Sequence, residues 1–291
     1  YQSYQNFDPY FHDGIDLVSD SLNQSVELPF DSKLDYIDPA CQKFEGNFYS
    51  QKQCALCFKL EDDLNFCVGH LKPSSIPSEI KIGQFYSKGT HLGTVLRWIT
   101  EKDQLNYNHA HISIFRVVKT DNDGNPILKF LNPQLFFEPI ADNISPTITE
   151  IFLITQKNYG FFTKVWEKST DHKITAGTEY IIGLETYDYI GNSIHKLMPY
   201  KVSYSIDNGE RISALQFDSL PGEGDKQYLD DIFIKDFSHS DEISTRFSVD
   251  LSFSTTGSRK LPTELGKHNI EVKVEDYAGN AAVSNFEWEI K

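Results

Sequence analysis

The segment CFKLEDDLNFC, residues 57–67, has the pattern of a β-hairpin. Three acidic residues at 61–63 stand between two short strands and serve as the turn. Folding the chain there pairs like residues across the strands: Leu60 with Leu64, Phe58 with Phe66, and Cys57 with Cys67. The segment therefore predicts antiparallel β structure with two cysteines facing each other across it.

All four cysteines of the chain lie in this region, at positions 41, 54, 57 and 67. Four cysteines allow three pairings, and the hairpin favours Cys57–Cys67 with Cys41–Cys54. Cys54 and Cys57 also form a CxxC, which alone suggests a zinc knuckle or redox motif, but no second CxxC and no strand–helix context accompany it. Disulfides predict an exported protein of the periplasm, cell envelope or extracellular space. A first residue other than Met, Tyr1, suits a processed exported protein or a chain that has been trimmed.

Composition limits the class of protein. With 291 residues and 39% hydrophobic content, the chain is long enough for two medium domains with packed cores. It carries 42 Asp and Glu against 27 Lys and Arg, a net charge of −15, and no basic stripe, so no nucleic-acid partner is expected. No apolar run is long enough to span a bilayer. Many Tyr and Phe residues and only one Met favour β structure.

The texture of the sequence changes at FFEPIADNISPTIT, residues 136–149, which we interpret as a linker. Beyond it, two nearly identical pentapeptides, DYIGN at 188–192 and DYAGN at 276–280, each offer a turn with a side-chain acceptor and a Gly. We therefore predict one domain over 1–140 and an immunoglobulin-like β-sandwich over 141–291. Alternating strands support the sandwich, among them TEIFLIT (149–155), EYIIGLETY (179–187) and NIEVKV (269–274).

Two histidines open an apolar run in NYNHAHISIF, residues 106–115. Residues two apart in a strand project from the same face, so His109 and His111 share one face. The other face carries the apolar side chains of Ala110, Ile112 and Ile114. A His-x-His pattern alone more often reflects two half-exposed histidines with local hydrogen bonds than a metal or catalytic site.

Further candidates for the same site lie earlier in the chain. In FHDGIDL, His12 and Asp16 are four residues apart, a spacing that returns both side chains to one face of an extended segment. An imidazole nitrogen and a carboxylate oxygen suit Zn²⁺, which in catalytic sites has three protein ligands and one open position. In NFCVGHLKP, residues 65–73, Phe66, Val68 and His70 are predicted to alternate onto one face at a strand end.

Taken in order along the chain, FHDGIDL at 11–17, VGHLKP at 68–73 and NHAHISIF at 108–115 resemble the signature of the lysostaphin/LytM-type zinc endopeptidases. Enzymes of that family cleave peptide bridges in bacterial peptidoglycan. The resemblance covers roughly residues 4–140 and implies an antiparallel β-sheet, LytM-like (duplicated-hybrid-motif-like) catalytic domain. With the sandwich after it, the predicted fold class is mainly β.

By position in the family pattern, the resemblance implies that His12, Asp16 and His111 bind one Zn²⁺ per chain. His70 and His109 would be the catalytic histidines beside the metal, in an order of roles that the sequence leaves open. Zn²⁺ acidifies bound water and polarises a carbonyl, and an imidazole can accept the proton of the water or stabilise the oxyanion. The remaining histidines match nothing in the pattern and are expected to serve packing: His91, His172, His195, His239 and His268.

The implied function is a zinc metallo-endopeptidase that hydrolyses peptide crosslinks or stem-peptide bonds of peptidoglycan. One alternative is a non-catalytic LytM-type envelope protein that binds or activates a partner, with the C-terminal domain as a candidate surface for an envelope protein. Another is an extracellular adhesion or scaffolding protein with a structural metal site. Structural sites are closed by four ligands, often Cys, so three ligands with two spare histidines favour the enzyme. The segment RWITEKDQLNYN, residues 97–108, replaces the usual Gly/Ser-rich loop and is predicted to alter the substrate groove.

Overall fold

The protein is mainly β with antiparallel sheets, which confirms the predicted fold class. It forms two compact units. The histidine unit comprises His12–Phe137 with Asp218–Glu223, and the sandwich unit comprises Tyr1–Phe11, Glu138–Phe217 and Gly224–Lys291. The computed structural model describes residues 2–3, 9–10, 12–19, 21, 23–42, 54–97, 108–138, 141–159, 163–189, 196–220, 232–234, 239–240, 245–252 and 261–291.

The predicted domains, 1–140 and 141–291, stay a prediction. Two short segments differ from the predicted boundary. Residues 1–11 belong to the sandwich unit, and Asp218–Glu223 belong to the histidine unit. Within the part of the chain that the structure describes, no helix is long and apolar enough to span a membrane. The stretch LPGEGDKQYLDD, residues 220–231, whose Gly and Pro residues suggest an irregular insertion in the predicted sandwich, lies outside the described residues apart from Leu220.

The histidine unit is built on one seven-stranded sheet. Its strands and those of a separate pair are β3 Ile15–Ser19, β4 Ser25–Glu27, β5 Ser32–Ile37, β6 Ala55–Lys59, β7 Leu64–Gly69, β8 Phe85–Tyr86, β9 His91–Thr94, β10 Asn108–Thr120 and β11 Pro126–Leu131. The spatial order is β11-β10-β7-β6-β5-β8, with β3 also pairing β10, while β4 pairs with β9. Short 3₁₀ helices lie at Pro39–Gln42, Pro73–Ser75 and Pro133–Leu135.

The hairpin of β6 and β7 has the register predicted from CFKLEDDLNFC. Cys57 faces Cys67 with their Cα atoms 4.0 Å apart, and Phe58 faces Phe66. The two disulfides are Cys57–Cys67 and Cys41–Cys54, which confirms the preferred pairing of the three that the cysteines allow. Cys57–Cys67 links the two strands of the hairpin, and Cys41–Cys54 links the 3₁₀ helix Pro39–Gln42 to the residue before β6.

Strand β10 separates the core of the histidine unit from a polar face. Its core face carries Ala110, Ile112 and Ile114, which are buried against Phe66 and Val68 of β7. Alternation then places His109 and His111 on the opposite face, as the sequence predicts. Burial of the apolar face fixes the register of the strand, because a slip of one residue would turn the histidines into the core.

The sandwich unit consists of two five-stranded sheets and a two-stranded ribbon. Its strands are β1 Gln2–Ser3, β2 Pro9–Tyr10, β12 Thr147–Tyr159, β13 Thr163–Lys168, β14 Lys173–Ile174, β15 Tyr180–Tyr187, β16 Lys201–Ile206, β17 Ile212–Gln216, β18 His239–Ser240, β19 Thr245–Asp250, β20 Gly266–Glu275 and β21 Ala281–Ile290. The sheets have the orders β13-β12-β15-β19-β18 and β14-β21-β20-β16-β17, and β14 with β21 is a parallel pair. Both sheets contribute to one core, with Leu153 and Leu184 from the first and Tyr204 and Val272 from the second.

The pentapeptide DYAGN forms the predicted turn between β20 and β21. Asp276 accepts hydrogen bonds from the backbone N–H of Asn280 at 2.8 Å and from its side-chain Nδ2 at 2.7 Å. Gly279 has a φ of 93°, a conformation that favours glycine. The matching DYIGN segment is described only as far as Tyr189, so its turn stays a prediction.

Candidate metal centre

The pairing of β3 with β10 sets the centre of the site. In this antiparallel ladder Asp16 lies directly opposite His111, and Val18 lies opposite His109. The side chains of directly opposite residues share a face of the sheet, so the carboxylate is placed beside the imidazole. His12 precedes β3 and returns to the same carboxylate, with its Nε2 atom 3.3 Å from Asp16 Oδ1.

Three side chains of the group present one ligand atom each to a common point. The available nitrogen and oxygen atoms of His12, Asp16 and His111 all lie within 4.8 Å of one another. His111 Nδ1 is 2.9 Å from Asp16 Oδ1, so the carboxylate oxygen is the centre on which both rings converge. Two imidazole nitrogens and one carboxylate oxygen form a ligand set that fits Zn²⁺ and leaves a fourth tetrahedral position open.

The second nitrogen of each ring contacts the short segment between His12 and Asp16. His12 Nδ1 lies 2.9 Å from the carbonyl oxygen of Gly14, and His111 Nε2 lies 3.1 Å from Asp13 Oδ1. These contacts leave His12 Nε2 and His111 Nδ1 as the nitrogens that face Asp16. Such outer contacts fix ring orientation and tautomer in metal sites.

Gly14 allows this segment to approach β10. A Cβ atom at Gly14 would overlap the carbonyl oxygen of Ile112 and lie 2.7 Å from His111 Nε2. Only a residue without a side chain therefore fits between His12 and Asp16 of FHDGIDL. The close approach explains the Gly of that motif by space rather than by backbone conformation.

The two remaining histidines lie beside the ligand group. The rings of His70 and His109 are 4.7 Å apart, and those of His70 and His111 are 5.6 Å apart. His109 is buried, with its Nε2 3.8 Å from Asp16 Oδ1. The structure thus brings together all five residues that the sequence singled out, and their separate roles stay predictions.

His70 reaches the site by a different path from the one expected. The alternation of Phe66, Val68 and His70 predicted a common face, but Phe66 and Val68 are buried in the core and β7 ends at Gly69. His70 has a φ of 60°, in the left-handed region that a residue with a side chain enters at a cost of about 1 kcal/mol or more. This single turn of the backbone brings its ring against His109, and strain of this kind is typical of functional sites.

Burial and charge together make the group favour a cation. Burial alone would raise the pKa of Asp16, but hydrogen bonds from His111 and His12 outweigh it and hold that pKa well below its usual range. Burial alone would lower the pKa of His111, but the carboxylates of Asp13 and Asp16 raise that pKa to about 9. Two carboxylates around one ring therefore stabilise positive charge here, whether a proton or a metal ion supplies it.

Asp13 is a residue of the site that the sequence patterns do not predict. It stands in the variable position between His12 and Gly14, where no spacing rule marks it. The sequence indicates it only as a second carboxylate within the five residues from His12 to Asp16. The segment predicted to border the groove, residues 97–108, lies outside the described residues except for its two ends.

The other histidines show no common arrangement in the described part of the chain. His91 Nδ1 is 2.8 Å from Ser25 Oγ, and His268 is held between Asp207 Oδ2 at 2.8 Å and the carbonyl oxygen of Glu264 at 2.9 Å. His195 and the side chain of His239 lie outside the described residues. Local hydrogen bonds of this kind fit the packing role expected for His91 and His268.

Comparison with known proteins shows no family for this chain. No family model matches the chain, and no curated protein matches it. Among solved structures the chain is similar to one described as the NMR solution structure of lysostaphin, at 10% sequence identity and a TM-score of 0.27, covering 71% of this chain and 86% of that chain. A TM-score this low carries no argument, so the function rests on the motifs and on the geometry of the five residues.

A second group of acidic side chains lies in the sandwich unit. Carboxylate oxygens of Asp142, Asp188 and Asp276 lie within 4.8 Å of one another, and Asp188 and Asp276 are both buried. Burial, with the like charges of Asp276 and Asp142, raises the pKa of Asp188 to about 7, against a weaker opposing hydrogen bond from the Tyr189 N–H. Ionised Asp188 is therefore a source of instability in this unit.

Asp188→Asn is expected to stabilise the sandwich unit above pH 7. The raised pKa means that Asp188 keeps a proton in the folded state that the unfolded state releases near pH 4, so the contribution of Asp188 to stability falls as pH rises from about 4 to about 7. The amide keeps the acceptor for the Tyr189 N–H and removes the charge. The gain at pH 8 is expected to reach up to about 4 kcal/mol, at about 1.36 kcal/mol per pKa unit, and to shrink toward pH 4.

Calorimetric unfolding in the presence of a chelator, at pH 5 and pH 8, measures this difference. Glu210→Gln, which removes one charge at an exposed position of the same unit, is the matched control. Equal stabilities of Asp188→Asn and the parent at pH 8 would contradict the prediction.

Proposed function

We propose that the protein is a zinc metallo-endopeptidase that hydrolyses peptide bonds in the crosslinks or stem peptides of bacterial peptidoglycan. The observation that carries the proposal is the convergence of His12 Nε2 and His111 Nδ1 on Asp16 Oδ1, with His70 and His109 beside them. Three protein ligands leave a position for water or substrate, and the imidazoles of His70 and His109 can transfer protons. Structural zinc sites have neither feature.

The chain's own residues supply the remaining chemistry of hydrolysis. A bound Zn²⁺ lowers the pKa of water and acts as a Lewis acid on the scissile carbonyl. His70 and His109 adjoin the ligand group, and an imidazole there can accept the proton of the attacking water or donate a hydrogen bond to the developing oxyanion. The Asp16 carboxylate, 3.8 Å from His109 Nε2, stabilises the charge that a ring acquires when it takes up a proton.

The proposed substrate follows from the family resemblance of the three motifs and from the disulfides. Two disulfides are compatible with export to an oxidising compartment, where peptidoglycan lies. Both D-Ala–diaminopimelate and Gly–Gly crosslinks fit the chemistry of the site. We place the protein in the periplasm, cell envelope or extracellular space, with the sandwich unit as a candidate surface for wall or for an envelope protein.

His70→Ala and His109→Ala are each expected to retain one Zn²⁺ per chain and to lose cleavage of peptidoglycan by about 10²- to 10⁴-fold, the usual contribution of a general acid or base. Purified protein is loaded with Zn²⁺, metal is measured by elemental analysis, and products from purified sacculi are identified by mass spectrometry. His91→Ala, an exposed histidine of the same unit, is the control and should leave cleavage unchanged.

The same experiment separates the enzyme from the non-catalytic binding protein. Zinc-loaded parent protein that leaves crosslinked muropeptides and oligoglycine intact, while still sedimenting with sacculi, would support the binding protein. Metal found at the cysteines, or no metal at the His12, Asp16 and His111 site in anomalous scattering at the zinc edge, would overturn the zinc site as proposed.

A further inference from the structure

We propose that Asp13 is a positioning residue that fixes the ring of His111 and its tautomer for metal binding. The inference rests on the proposed function, because it concerns the same zinc ligand. Its starting point is that two carboxylates face the two nitrogens of one ring: Asp13 Oδ1 lies 3.1 Å from Nε2, and Asp16 Oδ1 lies 2.9 Å from Nδ1.

The chemistry of imidazole gives these two contacts different roles. A neutral ring carries one N–H, and a nitrogen that binds a metal must offer its lone pair instead. Asp16 belongs to the ligand group, so the Nδ1 atom that faces it is the one directed at the metal. The proton must then reside on Nε2, where Asp13 accepts it. Asp13 thereby selects the tautomer that leaves Nδ1 free to bind.

The same short segment holds the other histidine ligand in a parallel manner. His12 Nδ1 contacts the carbonyl oxygen of Gly14, a neutral acceptor, whereas His111 Nε2 contacts the charged carboxylate of Asp13. Residues 12–16 therefore contain two ligands and the anchors of both imidazole ligands. A charged anchor also makes the ring more electron-donating and adds negative charge beside the metal, and both effects increase metal affinity.

Asp13 is also placed so that its role can be tested without removing a core residue. Its side chain is 37% exposed, and within the described part of the chain it pairs with His111. Loss of the carboxylate therefore removes one contact of one ring. A merely structural ion pair would change the stability of the unit, whereas a positioning residue changes the metal affinity and the tautomer of the folded protein.

Asp13→Ala is expected to weaken Zn²⁺ binding by about 10- to 100-fold, the range typical of outer partners of metal ligands. Asp13→Asn retains an acceptor oxygen without the charge, so its loss should be smaller than that of Asp13→Ala. The dissociation constant is measured by competition with a chromophoric chelator. Long-range ¹H–¹⁵N spectra of the zinc-loaded parent should show His111 as the Nε2–H tautomer, and the Asp13→Ala protein should show that signal broadened or shifted.

Asp63→Ala is the matched control, because it removes a carboxylate from the same unit that pairs with Arg116 instead. It should leave the zinc dissociation constant unchanged. Zinc affinity and the His111 signal of Asp13→Ala equal to those of the parent would overturn the role of Asp13 and leave the proposed function standing. Absence of zinc binding by the parent would overturn both. If Asp13→Ala does not fold, the near-isosteric Asp13→Asn is tested instead. A zinc dissociation constant of Asp13→Asn equal to that of the parent would then contradict the proposal.

Discussion

Replacing Asp16 by Ala is expected to abolish zinc binding and peptidoglycan cleavage together. Asp16 Oδ1 is the atom that three imidazoles approach, at 3.3 Å from His12 Nε2, 2.9 Å from His111 Nδ1 and 3.8 Å from His109 Nε2. Its loss removes a ligand and also the negative charge that holds the rings around one point. The affinity should fall well beyond the roughly 10- to 100-fold that loss of an outer partner causes.

Elemental analysis after gel filtration measures the bound zinc, and sacculus digestion measures the activity of the same sample. Asp16→Asn is informative beside Asp16→Ala, because it keeps the size and one oxygen ligand while removing the charge. Asp63→Ala again controls for the loss of one carboxylate in the same unit. One tightly bound Zn²⁺ per chain in Asp16→Ala would show that the metal lies elsewhere, and the proposed site would then be wrong.

The hairpin and the faces of β10 could be predicted because they depend on local rules. Alternation in CFKLEDDLNFC fixes the register of Cys57 with Cys67, and the structure has that register. Alternation in NHAHISIF separates His109 and His111 from the apolar side chains, and burial of those apolar residues follows. Period-two patterns of this kind translate directly into faces of a sheet.

The path of His70 could not be predicted because it departs from that alternation at a single residue. The pattern of Phe66 and Val68 continues to position 70 in the sequence, whereas the strand ends at Gly69 and His70 adopts a φ of 60°. The sequence Val68-Gly69-His70 does not predict a left-handed backbone conformation at His70, since histidine adopts that conformation only occasionally. The order of the three motifs, and not periodicity, predicts the place of His70 in the site.

Asp13 and Gly14 show a second limit of sequence patterns. Asp13 contacts His111, which is 98 residues later in the chain, so its role depends on the pairing of β3 with β10. Gly14 lies within the motif FHDGIDL, but the atoms that exclude a side chain there belong to β10. Contacts across strands distant in sequence become visible only when the register is known.

Gly14→Ala is expected to disrupt the site nearly as severely as the loss of a ligand. The added methyl group would overlap the backbone carbonyl of Ile112 and lie 2.7 Å from Nε2 and 2.8 Å from Cε1 of His111. The carbonyl belongs to β10 and cannot rotate away as a side chain could, so the segment before β3 must move. That movement carries His12 and Asp13 away from their places, and we expect zinc affinity to fall by at least about 100-fold.

The free energy of unfolding should fall as well, by about 1–3 kcal/mol, the usual cost of inserting a methyl group into a packed position. Zinc competition and urea unfolding of the histidine unit measure the two effects. Gly69→Ala is the matched control: a Cβ atom there would lie 3.6 Å from His111 Cβ, an ordinary contact distance, so zinc affinity should stay within a few-fold of the parent. Normal zinc affinity in Gly14→Ala would mean that the segment can approach β10 with a side chain present. Weakened binding in Gly14→Ala but not in Gly69→Ala would instead assign the effect to the space between His12 and Asp16, because both glycines adjoin the same histidine.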